Sequence, residues 1–314
     1  MQATQGDAPG ARGAPASRRR LRPSPGRLVV YAVLLALAAP VLAMLVLVRR
    51  AYKTLFPYRT HVTPAQVQEA HERLPALEDV AFPTKDGLVL RGWFAPGKNR
   101  DAIVFVHGLA ANRVAFLREG ESLVRHGHGV LLYDSRASGE SDGRMATFGD
   151  RERLDVEGAL DFLVARPDVD RSKLGLFGCS VGGTTVALVA ATDPRVRAVL
   201  LGPTWLSVDA EAHTNGGRSG GVILVLFRLA GVDVDALRPV DVVHEIAPRP
   251  LFMLSGSLDD DTPPYVMETL QAAAPGSDRW VVPGAGHCRY VDASPVEYLR
   301  RFDDFFDRSL GAGG

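Results

Sequence analysis

From about residue 102 to about residue 310 the chain alternates short apolar runs with stretches of helical periodicity, and this rhythm restricts its fold more than any other feature. The runs are "AIVFVHG" (102–108), "GVLLYD" (129–134), "KLGLFGC" (173–179), "VRAVLLGP" (196–203), "PLFMLSG" (250–256) and "DRWVVP" (278–283). They are too short for buried helices and too uniformly apolar for strands with a wet face, so they predict a parallel sheet covered on both sides. Helical stretches are expected near 112–126, 150–166, up to 192, 263–274 and 294–310. Upstream, "DVAFPTKDGLVLRGWFAP" predicts two strands around a turn at Asp86 and Gly87. The stretch 204–248 breaks the rhythm with one apolar helix candidate, "GVILVLFRLAG", in polar and glycine-rich surroundings. It is expected to be an insertion forming a small lid.

Ahead of this body the composition changes. Residues 1–27 are rich in Ala, Gly, Pro and Arg, with too little bulky apolar surface to fold. Leu28–Val48 follows without a charge, flanked by Arg27 on one side and Arg49 and Arg50 on the other. At about 1.5 Å per residue a helix of that length crosses a hydrocarbon core of roughly 30 Å. A cleaved signal peptide is the competing reading, with Ala36-Leu37-Ala38 as the cleavage site, but cutting there leaves an apolar new terminus. A single-pass anchor is therefore expected, followed by a linker over 49–77 with a helix near 61–75 and a main domain over 78–310. Arg12, Arg18, Arg19, Arg20, Arg22 and Arg27 precede the span, while Arg49, Arg50, Lys53 and Arg59 follow it. That bias places the N-terminus in the cytoplasm and the main domain outside it. The 314 residues carry 36 basic and 36 acidic side chains, which gives no attraction to nucleic acid. Two cysteines without a CxxC pair support neither a disulfide framework nor a metal cluster.

In sheets of this kind chemistry collects beyond the carboxyl ends of the strands. Four features fall there. Gly178-Cys179-Ser180-Val181-Gly182 fits G-x-S-x-G between a strand and a helix. Its glycines admit a crowded turn whose third residue projects outward, which makes Ser180 the candidate nucleophile and Cys179 a packed neighbour. "SGSLDDDTPP" puts Asp259 just past a strand end, placed to orient a histidine; Asp260 and Asp261 are expected to be solvated or capping groups. "VVPGAGHCRY" puts His287 in a glycine loop after the next strand. The order Ser, Asp, His is the one a triad takes on such a sheet. Finally, "VFVHGLAANR" offers a loop whose Leu109 N–H, with that of Val181, is placed to hold a developing oxyanion. His107 is expected to support that loop rather than to move protons.

His107-Gly108, "YDSRASGESDGR", "GCSVGG", "GSLDDDTPP" and "GAGH" occur in one order at strand ends, and residues 78–310 thereby resemble the α/β-hydrolase family. The chain departs from the family pattern at Ala137, where glycine is usual. The resemblance implies an α/β-hydrolase fold, with a mostly parallel sheet between helices, and a serine esterase or peptidase-like enzyme with a short lid and no metal or organic cofactor. It implies acyl transfer to water through Ser180, His287 and Asp259. Peptidase, thioesterase or acyltransferase activity stays open beside esterase, and a membrane-tethered binding domain without activity is the alternative of another class. A small-molecule or lipid-derived acyl substrate is expected, with Trp205 as a candidate pocket wall and Leu28–Val48 as the membrane contact. Cys288 comes near Cys179 at the site, but a disulfide between them is not expected, since it requires Cα atoms closer than about 7 Å.

Overall fold

A computed structural model describes residues 24–311. The basic arm expected over 1–27 therefore lies outside the described residues as far as residue 23. The chain divides into two units, residues 1–46 and 47–314. In the first, helix α1 (Pro25–Leu55) begins and runs on into the second. It is long and apolar enough to cross a membrane by length and composition, and its most apolar stretch is exposed throughout.

The second unit continues with α2 (Pro64–Arg73), whose start is set by Thr63: its hydroxyl accepts from the Gln66 N–H, and its own N–H donates to Gln66 Oε1 at 2.9 Å. Strands β1 (Glu78–Pro83) and β2 (Val89–Ala95) form the expected hairpin, with Gly87 at φ +85° in the turn. Then come β3 (Ala102–Val106), α3 (Leu117–Arg125), β4 (Gly129–Tyr133), α4 (Glu152–Val164), β5 (Leu174–Gly178), α5 (Val181–Thr192) and β6 (Val196–Leu201). The stretch expected to be a lid carries α6 (Val208–Gly216), α7 (Gly220–Leu229) and α8 (Pro239–Val242). The chain closes with β7 (Leu251–Gly256), α9 (Pro264–Ala273), β8 (Asp278–Val282), α10 (Tyr290–Ala293) and α11 (Pro295–Leu310).

The eight strands form one sheet in the order β1-β2-β4-β3-β5-β6-β7-β8, antiparallel at the β1 and β2 edge and parallel from β4 to β8. Alternate residues of each strand feed two cores, as a two-residue period requires. Val104, Val106, Leu174 and Leu176 pack with α4 and α5 residues such as Leu160 and Val186. Ile103, Phe105 and Phe177 pack on the other face with Leu117, Phe302 and Phe306 of α3 and α11. The connection from β3 runs outward to β4, and the next returns across to β5, so the crevice between the ends of β3 and β5 is the topological switch point.

Candidate active site

Ser180 stands at that switch point, between Cys179, the residue after β5, and Val181, the first residue of α5. Its φ of +60° and ψ of −126° lie outside the regions ordinary residues occupy, a strain of order 1–3 kcal/mol that the surroundings must hold. They do so with the Ser180 N–H donating to the Pro203 carbonyl at 2.6 Å and the Cys179 N–H donating to that of Val106 at 3.3 Å. The flanking glycines answer to close approach. A Cβ on Gly182 would fall on the Val106 carbonyl of β3, and one on Gly178 on the Gly182 carbonyl across the turn. Helix α5 can thus start directly against the sheet, the Gly182 N–H donating to the Cys179 carbonyl of the turn at 3.0 Å.

Asp259 and His287 follow the neighbouring strands β7 and β8, whose ends pair Gly256 with Val282. The Asp259 carboxylate is buried and faces His287 Nδ1 with its two oxygens at 2.9 and 3.1 Å. Oδ1 also accepts the Thr262 N–H at 2.8 Å. This fixes Nδ1 as the protonated ring nitrogen and leaves Nε2 to exchange a proton. Burial alone would lower the His287 pKa. The hydrogen bond and charge of Asp259, with the charges of Asp261 and Glu211, outweigh it and raise the imidazole above its ordinary value.

Cys179 and Cys288 form a disulfide, contrary to the sequence-based expectation. Their Cα atoms are 6.2 Å apart although 109 residues separate them in the chain, a proximity produced by the fold, since Cys179 follows β5 and Cys288 lies in the loop after β8, with β6 and β7 between those strands in the sheet. The bridge joins the residue before Ser180 to the residue after His287. With consecutive Cα atoms ~3.8 Å apart, it keeps the Cα atoms of Ser180 and His287 within about 14 Å of each other.

The loop after β3 is held from three sides. His107 Nδ1 donates to the Gly108 carbonyl at 2.8 Å and its Nε2 accepts the Ser135 N–H at 3.1 Å. Burial lowers its pKa and keeps it neutral, in a supporting role. The Asp134 carboxylate takes the N–H groups of Arg113 at 2.7 Å and Glu140 at 2.9 Å, tying the loops after β3 and β4 together. Ala137, where the family pattern has glycine, sits at φ +59°, a conformation that favours glycine. Leu109 and Val181 line one cavity with Ser180, about 290 Å³ in volume, and Trp205 lines it too. Ile223 and Phe227 of the apolar helix in the 204–248 stretch line it as well, and the walls without a sequence signal are Phe148, Val208 and Ala212, with Glu211, Arg50 and Thr54. Phe148 stacks on Phe227 at 5.3 Å between ring centroids and lies 5.8 Å from the Trp205 ring. Among the described residues no group of three or more metal-ligating side chains is assembled.

A family profile described as alpha/beta hydrolase fold matches residues 101–216. An uncharacterized protein of Mycobacterium tuberculosis strain H37Rv is 32% identical over 228 residues, covering 70% of this chain and 76% of that protein. A protein described as a thiohydrolase from Aspergillus aculeatus is 36% identical over 126 residues, 39% of this chain and 40% of its own. Among solved structures, the Pyrococcus furiosus esterase Pf2001 superposes with a TM-score of 0.66 at 22% identity, covering 81% of this chain and all of that one.

Proposed function

The chain belongs to the α/β-hydrolase family, and on that footing we propose that it is a serine hydrolase that cleaves a carboxylic ester through Ser180, His287 and Asp259. The observation that carries the reading is the buried Asp259 carboxylate on His287 Nδ1, on a loop bridged covalently to the strained turn that presents Ser180. In the first step His287 Nε2 takes the Ser180 proton while the serine oxygen bonds to the substrate's carbonyl carbon. The Leu109 and Val181 N–H groups hold the resulting oxyanion. Collapse breaks the bond to the leaving group, which departs with the proton from His287 and leaves an acyl-serine. Water then repeats the sequence, giving up one proton through His287 as it releases the acid and restores the Ser180 hydroxyl. Trp205 and the 204–248 lid would shape the acyl site. A sulfur-linked acyl group is the second substrate to test, supported by the relative described as a thiohydrolase.

The same reading includes location. The apolar span Leu28–Val48 of α1 serves as a membrane anchor, and the arginine-rich arm on its N-terminal side favours a cytoplasmic N-terminus. The disulfide favours an oxidising compartment for the enzyme body. Full-length protein assayed on p-nitrophenyl esters of increasing chain length, beside Ser180→Ala, tests the activity. Turnover that survives Ser180→Ala would contradict it. Retention in the membrane pellet after alkaline carbonate extraction tests the anchor, and release into the supernatant would count against it.

A further inference from the structure

The cavity beside Ser180 is built partly from the end of the helix that carries the proposed anchor. Arg50 and Thr54 of α1 line it, while Ala51 and Leu55, on the same turns, are buried in a cluster with Phe148, Ile223 and Phe227. The Ala146 N–H donates to the Leu55 carbonyl at 2.7 Å, fastening the helix end to the segment that leads to Phe148. These residues all belong to the unit that holds the sheet. Arg50 and Thr54 follow Val48, the last residue of the apolar span, by two and six positions. At 1.5 Å per residue they stand about 3 and 9 Å beyond the hydrocarbon boundary, the depth of the headgroup layer. With the span as a membrane anchor, one wall of the nucleophile's cavity stands at the level of the lipid headgroups.

The surface nearby is consistent with that depth. Tyr52 and Tyr58 are exposed just past the span, where amphipathic rings settle at a membrane interface. Helix α7 buries Ile223, Leu224 and Phe227 toward the cavity side, yet leaves Val225 at 52% and Leu229 at 79% exposure. Apolar side chains on both faces of one helix are explained if the second face also meets an apolar phase. The cavity itself is walled by Phe148, Trp205, Ile223 and Phe227, with Arg50 and Glu211 as its charged members. Its volume of about 290 Å³ lies at the lower limit of the roughly 300–1,000 Å³ typical of small-molecule sites, room for one chain rather than two.

We propose that the substrate is a single-chain acyl amphiphile drawn sideways from the bilayer leaflet that α1 enters. Its acyl chain lies between the last turns of α1 and helix α7, while its polar leaving group stays at the level of Arg50. This rests on the serine-hydrolase and membrane-anchor readings above and adds the source and shape of the substrate. Ile223 and Phe227 then set the chain length, and the outer face of α7 seats the body on the membrane.

The test uses the full-length protein reconstituted in phosphatidylcholine vesicles. The probes are 4-methylumbelliferyl oleate embedded in the bilayer and p-nitrophenyl acetate in solution. Oleate is expected to be turned over with at least tenfold higher kcat/KM than acetate. Leu229→Asp, on the exposed face of α7, should lower oleate turnover from vesicles at least fivefold and leave acetate turnover unchanged. Ile223→Trp, inside the cavity, should shift the preferred chain of an embedded ester series to a shorter one. Oleate turnover equal to acetate turnover, or insensitive to Leu229→Asp, overturns the proposal, as does a chain-length optimum that Ile223→Trp does not move. Acetate turnover that persists in those cases leaves the hydrolase reading standing. Loss of both activities in the unaltered protein removes the hydrolase reading and this proposal together.

Discussion

At Ser180 the backbone stores strain so that one hydroxyl can stand clear of the sheet, and the proposed chemistry depends on what faces that hydroxyl. Ser180→Ala should lower kcat by roughly 10⁵-fold or more in a p-nitrophenyl ester assay while the fold persists, since members of such a set act as a unit. His287 must be neutral at Nε2 to accept the proton, and Asp259 raises its pKa. Activity should therefore fall as pH drops through a midpoint above the ordinary histidine value of about 6.5. In Asp259→Asn that raising influence is gone, so the acid limb of kcat/KM should move to lower pH while the plateau falls by orders of magnitude. A pH–rate profile with the same acid limb in both proteins would contradict the pairing. The disulfide adds a third expectation. Cys288→Ser should free the His287 loop from the nucleophile turn and cost about tenfold or more in kcat, by mispositioning rather than by lost chemistry. Ser180, Asp259 and His287 could be named as candidates from the sequence because each has a local signature, a glycine turn or a strand end. The bridge could not, because the distance between cysteines 109 residues apart is a property of the folded sheet.

The elements show the same division. Strands β3 to β7 were legible as short apolar runs because both faces of each are covered, and the hairpin was legible from Asp86 and Gly87. Where one helix was expected near 112–126, the chain makes a 3₁₀ turn at Arg113–Phe116 before α3. There the Asn112 side chain caps the Val114 N–H, and Asp134 holds the Arg113 N–H. Apolar periodicity does not register such polar anchoring from a distant loop. The cavity walls Phe148, Val208 and Ala212 were equally hidden, since only tertiary packing brings them to Ser180. Between α3 and α11 lies a titratable contact with a measurable consequence. Burial pushes the Glu119 carboxyl up to about 7, although it accepts a hydrogen bond from the Tyr298 hydroxyl at 3.2 Å. Between the ordinary glutamate value and about 7 the folded state thus holds a proton that the unfolded state has released. Stability should decline as pH rises across that window. Urea unfolding of Glu119→Gln from pH 5 to 8 should show a flatter dependence than the unaltered protein, and parallel curves would contradict the assignment.

For the molecule as a whole, α1 belongs to two settings. Its apolar span is exposed, while Ala51 and Leu55 are packed into the body beside the cavity. A chain beginning at residue 47 should therefore keep its thermal stability, whereas one beginning at residue 60 should melt earlier. Losing Leu55 alone removes roughly 2 kcal/mol of burial. Equal melting temperatures would show that the helix end contributes nothing to the body. The uncharged span ends at Val48, before Arg49 and Arg50, yet the helix runs on to Leu55, because its last turns are held by packing rather than by composition. The central claim is that three side chains from three separate strand ends make one hydroxyl reactive. It is tested most directly by mapping, with mass spectrometry, the site at which a fluorophosphonate modifies the folded full-length protein. A single adduct on Ser180 is expected, lost in His287→Ala and after denaturation. An unmodified Ser180, or an adduct that forms as readily without His287, would contradict it.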